Sequence, residues 1–199
     1  MRTRILTAAL HQMNTHGIKF TTVDLARDLG VSKRAIYEHF PSKNLLLGAV
    51  VETILADLKQ QISGIVQDES LDTVAKLKAL MLFNPKALGP VNVRVIDDVK
   101  RYLPEEYAKF DACFEERWGM LEEVIKQGVQ EGYLANVDML ILRRIYMGTI
   151  DQLIDDQFLN QNNTTFKNAM SKATEILIWG LMPREGQKPK ECLHPTKPE

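Results

Sequence analysis

Cysteine is scarce in this chain, and the two that occur, Cys113 and Cys192, stand far apart and in no CxxC pair. That spacing excludes a zinc cluster and a dithiol redox motif, and a reducing compartment is the default setting. Long hydrophobic runs are missing too. No apolar stretch approaches the roughly 20 residues that a membrane span requires, and no basic segment followed by an apolar one opens the sequence. These absences predict a soluble, cytoplasmic protein. The triplet Asn163-Thr164-Thr165 fits a glycosylation sequon, but without an export signal it is read as accidental.

Enzyme motifs are equally wanting. His11, His16, His39 and His194 form no HExxH or other metal-ligand grouping, no GxSxG occurs, and no Gly-rich loop is available to cradle a phosphate. The adjacent acids Asp97-Asp98 and Asp155-Asp156 would diverge by about 100° on a helix rather than face each other. No catalytic site, metal or cofactor is expected. No internal repeat or low-complexity tract stands out, and no segment alternates apolar and polar residues over strand length between turn signals.

What is present is a chain of 199 residues, 45% hydrophobic, long enough for a real core without stapling. The net charge of −1 hides an asymmetry. Residues 1–47 hold seven Lys/Arg against three acids, a net +4, which leaves −5 for the remainder. A small polyanion-facing module on an acidic body fits that division, as does a merely solvated mixed surface.

Cap and period signals predict an all-α fold of about nine helices. Ile5, Leu6, Ala9, Leu10 and Met13 recur at helical spacing from about Arg4 to His16, and Gly17 stops the run. Thr21 with Asp24 resembles a capping box for a second helix ended by Gly30. Ser32 then caps a third through His39, before Pro41. Two helices joined by a three-residue, Gly-containing turn make a helix-turn-helix. Ser42 caps a longer fourth helix striped by Leu47, Val50, Ile54, Leu58, Ile62 and Ile65. Further helices are predicted over 71–83, 91–103, 104 to about 131, 138–159 and 165–181, with Asn84-Pro85 and Gly89-Pro90 as punctuation. The expected organisation is a helix-turn-helix head at 1–47, a helical body at 48–182 and a disordered tail at 183–199.

The stretch G-IKF-TTVDLARDLGVSKRAIYEHFPSKNLL, from Gly17 to Leu46, resembles the N-terminal signature of the TetR/AcrR family of transcriptional regulators. Thr22-Val23, Leu25-Ala26, Gly30-Val31-Ser32, Tyr37-x-His39-Phe40, Lys43 and Leu46 carry the match. Local chemistry agrees with it. Ala26 is small where two helices must approach, Gly30 can take the left-handed turn conformation, and Ile36 with Phe40 can anchor the third helix. Ser32, Lys33, Arg34 and Tyr37 are then left near the N-terminal half of a recognition helix, where Lys33 or Arg34 could donate to guanine O6 and N7 in the major groove. The resemblance implies that Thr22, Tyr37, His39 and Lys43 grip phosphates. His39 equally suits a buried structural histidine, and with only Arg2 and Arg4 at the start a minor-groove arm is not expected.

The resemblance also implies a repressor that binds a palindromic operator as a homodimer and is released by a small-molecule effector. Pairing through the predicted eighth and ninth helices would use Leu142, Ile145, Tyr146, Thr149 and Leu153 with Phe166, Ala169, Met170, Ala173, Leu177, Gly180 and Leu181. The same stripes would also serve the subunit's own core. Phe110, Phe114, Trp118, Met120, Tyr146 and Met147 are suited to lining an apolar effector cavity, or to plain packing. Cys113 is a sensor thiol on one reading and a packing residue on another. Two other readings compete: an interaction protein that keeps the fold without binding DNA, and an enzyme.

Overall fold

In a computed structural model of the chain, the described residues are 1–82, 93–153 and 156–183. Among them there are ten helices and no strand, so the all-α expectation holds. The expected loop around 84–90 and the tail from 184 onward lie outside the described residues.

The chain divides into two compact units, each taken by itself here. The first comprises residues 1–64 and, of those described, 93–117; the second comprises 65–82, 118–153 and 156–183. The first unit opens with α1 (Arg2–His16), α2 (Thr22–Leu29) and α3 (Lys33–His39), followed by most of α4 (Lys43–Gln67). It also contains α6 (Val93–Tyr102) and the first half of α7 (Pro104–Gln130).

Each helix of the head starts and stops for a chemical reason. Thr21 and Asp24 form a reciprocal capping box: the Asp24 N–H donates to Thr21 Oγ1 at 3.2 Å, and the Thr21 N–H donates to Asp24 Oδ2 at 3.1 Å. At the other end Gly30 takes a left-handed conformation with φ 65°, and the Val31 N–H closes the turn onto the Ala26 carbonyl at 3.0 Å. A β-carbon would make that φ costly. Ser32 Oγ accepts from the Ala35 N–H, and Ser42 Oγ from the Leu45 N–H, each at 3.2 Å, so both serines cap as the sequence suggests. The core of the head is Ile5, Leu6, Ala9, Leu10, Met13, Leu25, Ala26, Ile36, Phe40 and Leu46, all buried. The helical spacing of Ile5, Leu6, Ala9, Leu10 and Met13 thus buries one face of α1 and leaves Thr3, Arg4, Thr7 and His11 outside.

The second unit holds α5 (Thr73–Met81), the end of α7, α8 (Met139–Leu153), α9 (Asp156–Gln161) and α10 (Phe166–Leu181), with α10 packed on both α5 and α8. Asp72 and Thr165 cap α5 and α10 through the Ala75 and Asn168 N–H groups, and Asp138 Oδ1 accepts from Leu140 and Ile141 at the start of α8. Tyr146 is buried and its hydroxyl donates to the Met81 carbonyl at 2.7 Å, tying α8 to the end of α5.

The helix expected over 138–159 is described as α8 up to Leu153 and as α9 from Asp156, and residues 154 and 155 lie outside the described residues. The expected pairing stripes also change. Leu142, Tyr146, Met170 and Leu181 are buried within the subunit, whereas Ile145 and Gly180 are exposed. The outward apolar side chains of α8 are Leu140, Ile141, Ile145 and Met147, and those of α10 are Ile176 and Trp179, which are 71% and 78% exposed.

Because Leu25 is 0% exposed and its neighbour Val23 is 51% exposed, the two should respond differently to truncation. Leu25→Ala is expected to cost about 2–5 kcal/mol, and Val23→Ala within about 0.5 kcal/mol. Urea midpoints of the two variants check this.

Candidate nucleic-acid interface

The outward side of the helix-turn-helix is set by what α3 must bury. Ile36 and Phe40, four residues apart, are both inside, which turns Ser32, Lys33, Arg34, Tyr37, Glu38 and His39 to solvent. Five of the residues expected to face DNA therefore share an exposed helix. His39 is exposed, so the buried alternative for it does not apply.

Neighbouring groups steer these side chains. The Lys33 ammonium lies 5.5 Å from the Tyr37 ring centroid. Arg34 Nε donates to Glu38 Oε1 at 3.2 Å, one turn along the helix. Both partners of that pair are largely exposed, so its contribution to stability is small. Its effect is on direction: the Arg34 Nε is turned toward Glu38, and a guanidinium is the donor type that matches guanine O6 and N7. Glu38 was not among the sequence candidates. Its i,i+4 spacing from Arg34 is the signal that could have found it.

Thr22 and Lys43 stand behind this face. Thr22 is buried, with its hydroxyl 3.3 Å from the Tyr37 hydroxyl, so the first residue of α2 touches the tip of an α3 side chain. Lys43 is half-buried at the start of α4. Its ammonium donates to the Phe20 carbonyl and sits 4.6 Å from the Phe20 ring centroid, and burial lowers its pKa. An ammonium has three donors, and the Phe20 carbonyl takes one of them. Arg2 joins the same neighbourhood, its guanidinium 4.9 Å from the Phe40 ring centroid. It is the first residue of α1 rather than part of an arm.

The expected effector residues fall into two groups. In the first unit Phe110 is buried and Phe114 half-buried, their rings stacked with centroids 6.2 Å apart. In the second, Trp118 and Tyr146 are buried with centroids 6.0 Å apart, and Arg143 lies over the Trp118 ring. Met147 does not join them: it is exposed on α8, because Tyr146 beside it takes the inward position and consecutive helical residues diverge. Cys113 is buried, and burial raises its pKa, which keeps the thiol protonated and unreactive. Among the described residues no group of three or more His, Cys, Asp or Glu is placed to hold a metal, and no helix is long and apolar enough to cross a membrane.

Residues 5–50 match the family model of bacterial regulatory proteins, tetR family. That match covers the head of the chain. The tetR match spans α1 to the start of α4, the segment whose caps and outward face are described above. An uncharacterized HTH-type transcriptional regulator of Bacillus subtilis, YvaF, is 28% identical over 181 residues, covering 91% of this chain and 95% of the relative. Among solved structures, a TetR transcription regulator from Haloarcula marismortui superposes with a TM-score of 0.69 at 21% identity, over 92% of this chain and 98% of that one. The regulator FadR from Bacillus subtilis, solved with stearoyl-CoA, superposes with a TM-score of 0.65 at 17% identity, over 91% and 100%. At these identities the structural likeness establishes the fold.

Asp24 makes the N-terminus of α2 pH-sensitive. The Thr21 hydroxyl first, and its backbone N–H second, hold the Asp24 carboxyl below its ordinary value of 3.8. A carboxyl depressed in the folded state adds stability above that ordinary value and loses it as pH falls through the lower folded one. Asp24→Asn is therefore expected to flatten the acid limb of the stability profile, compared with the parent by urea titration between about pH 2 and pH 6.

Proposed function

We propose that this chain is a TetR-family transcriptional repressor that binds a palindromic operator as a homodimer and is released by a small molecule. The exposed face of α3, with Lys33, Arg34 and Tyr37 directed outward by the burial of Ile36 and Phe40, carries the reading. Residues 1–47 act as the DNA-binding domain and 48–182 as the ligand-binding and dimerisation domain. Lys33 or Arg34 reads a guanine edge. Ser32, Tyr37, His39 and the free donors of Lys43 hold phosphates, and Thr22 steadies Tyr37 from behind.

A helix this short cannot provide high specificity alone, and two copies about one DNA turn apart, roughly 34–36 Å, solve the problem. The apolar residues left outside on α8 and α10, above all Ile141, Ile145, Ile176 and Trp179, suit a four-helix bundle with a second copy. Gly180, also exposed, allows close approach.

For the effector, Phe110 and Phe114 in the first unit and Trp118 and Tyr146 in the second are side chains of the kind that line apolar cavities, and the FadR relative was solved with an acyl-CoA. A ligand that favours the arrangement with the two reading heads off their one-turn spacing lowers operator affinity in proportion to its differential binding.

Mobility-shift assays with DNA from upstream of the chain's own gene test the reading. A palindromic fragment should be retained, lose affinity by about 10³-fold or more between about 50 and 200 mM salt, and be released by the Arg34→Ala/Tyr37→Ala double variant. No retention at low salt sinks the proposal. Dimerisation has a separate check: Ile176→Glu/Trp179→Glu should sediment as a monomer while keeping its helical circular dichroism, and an unchanged dimer would place the interface elsewhere.

A further inference from the structure

We infer that Asp98 is a positioning residue for operator binding: its carboxylate holds the α1–α2 loop, and through that loop the reading face of α3. The inference rests on the DNA-binding reading above and names a residue outside the helix-turn-helix.

The contact begins with a backbone group that needs a partner. Ile18 follows the end of α1 and is buried, so its N–H cannot be left to water without cost. Asp98, eighty residues away on α6, accepts that N–H at 2.9 Å through Oδ2. The approach is close enough to dictate the preceding residue. Gly17 has φ +70°, and a β-carbon there would lie 2.6 Å from the same carboxylate oxygen. A second contact joins the same two segments one turn further along α6, where the Lys19 ammonium sits 5.4 Å from the centroid of the Tyr102 ring. Val95 and Val99, on the same side of α6, are buried and fix its rotation. Asp98 and Tyr102 thus act as a two-point strap on residues 17–19.

From the strapped loop to the reading face the path is short and covalently continuous. Phe20 is buried and its carbonyl takes the Lys43 ammonium. Thr21 caps α2. Thr22, the first residue of α2, meets the Tyr37 hydroxyl. Moving Ile18 therefore shifts the cap, the start of α2 and the side chain that α2 steadies on α3. Phosphate attraction tolerates such a shift, because it is long-ranged and non-directional; base-edge contacts do not. Asp98 should consequently matter for sequence-specific binding and little for non-specific binding.

The test compares the full-length parent with Asp98→Ala, Asp98→Asn and Tyr102→Ala. Amide hydrogen exchange is read without DNA, and affinity is read on two duplexes: one selected by the parent from a random pool, and a scrambled duplex of the same length. For Asp98→Ala, exchange at Ile18 should accelerate by about tenfold or more and rise across residues 33–40, because a charge-assisted hydrogen bond is lost. Affinity for the selected duplex should fall about 5–20-fold, with the scrambled duplex within about twofold, as expected where a directional contact is lost and phosphate attraction is not. Asp98→Asn keeps an acceptor and should recover most of both. Tyr102→Ala, which removes a partly exposed ring rather than core, should move the same exchange window by less and serves if Asp98→Ala does not fold. Fast exchange at Ile18 with residues 33–40 unchanged would overturn the inference, and so would equal losses on both duplexes. Failure of the parent to bind any duplex would instead sink the DNA-binding reading, while the exchange data would still decide the coupling.

Discussion

A helix of seven residues does not hold itself together in water, and α3 is that short. Its existence depends on two buried side chains, Ile36 and Phe40, and on the Ser32 cap. The same anchors decide its rotation. With positions 36 and 40 inside, positions 33, 34 and 37 have nowhere to go but outward. The cationic face is thus a by-product of the hydrophobic core beneath it. The rest of the head, including both capped ends of α2 and the left-handed turn at Gly30, keeps that core in one geometry.

The electrostatics of the reading face follow from its exposure. In water the Arg34–Glu38 pair and the Lys33–Tyr37 contact add little to folding, since solvent screens the first and the second is weak at an exposed site. In the proposed complex with a duplex, the same neighbours would restrict the directions in which the cations donate. Lys43 sits differently. Half-buried against Phe20, it joins the start of α4 to the α1–α2 loop, so one residue both supports the head and presents a positive charge beside it.

Much of the head was legible because its signals are local. Thr21, Asp24, Gly30, Ser32 and Ser42 all sit where their caps or turns form, each within three or four residues of the group it satisfies. Other features left a weaker trace. Met147 could be placed inside or outside, and only the inward turn of Tyr146 and its bond to the Met81 carbonyl put it outside. Glu38 was readable in principle from its spacing to Arg34, but helical spacing alone does not say that a pair will form.

By itself, the sequence determined the helical class, nearly every helix boundary in the head, the outward residues of α3 and the concentration of positive charge in the first 47 residues. These depend on caps, turn residues and a 3.6-residue period, all of which act within a few residues of chain. Tertiary structure alone decided which of the two apolar sides of α8 and α10 faces inward, and that α6 holds the α1–α2 loop through an Asp98 carboxylate eighty residues from its partner Ile18. A helix with apolar residues on two sides satisfies its own periodicity either way round. The choice is made by whichever neighbour arrives from elsewhere in the chain.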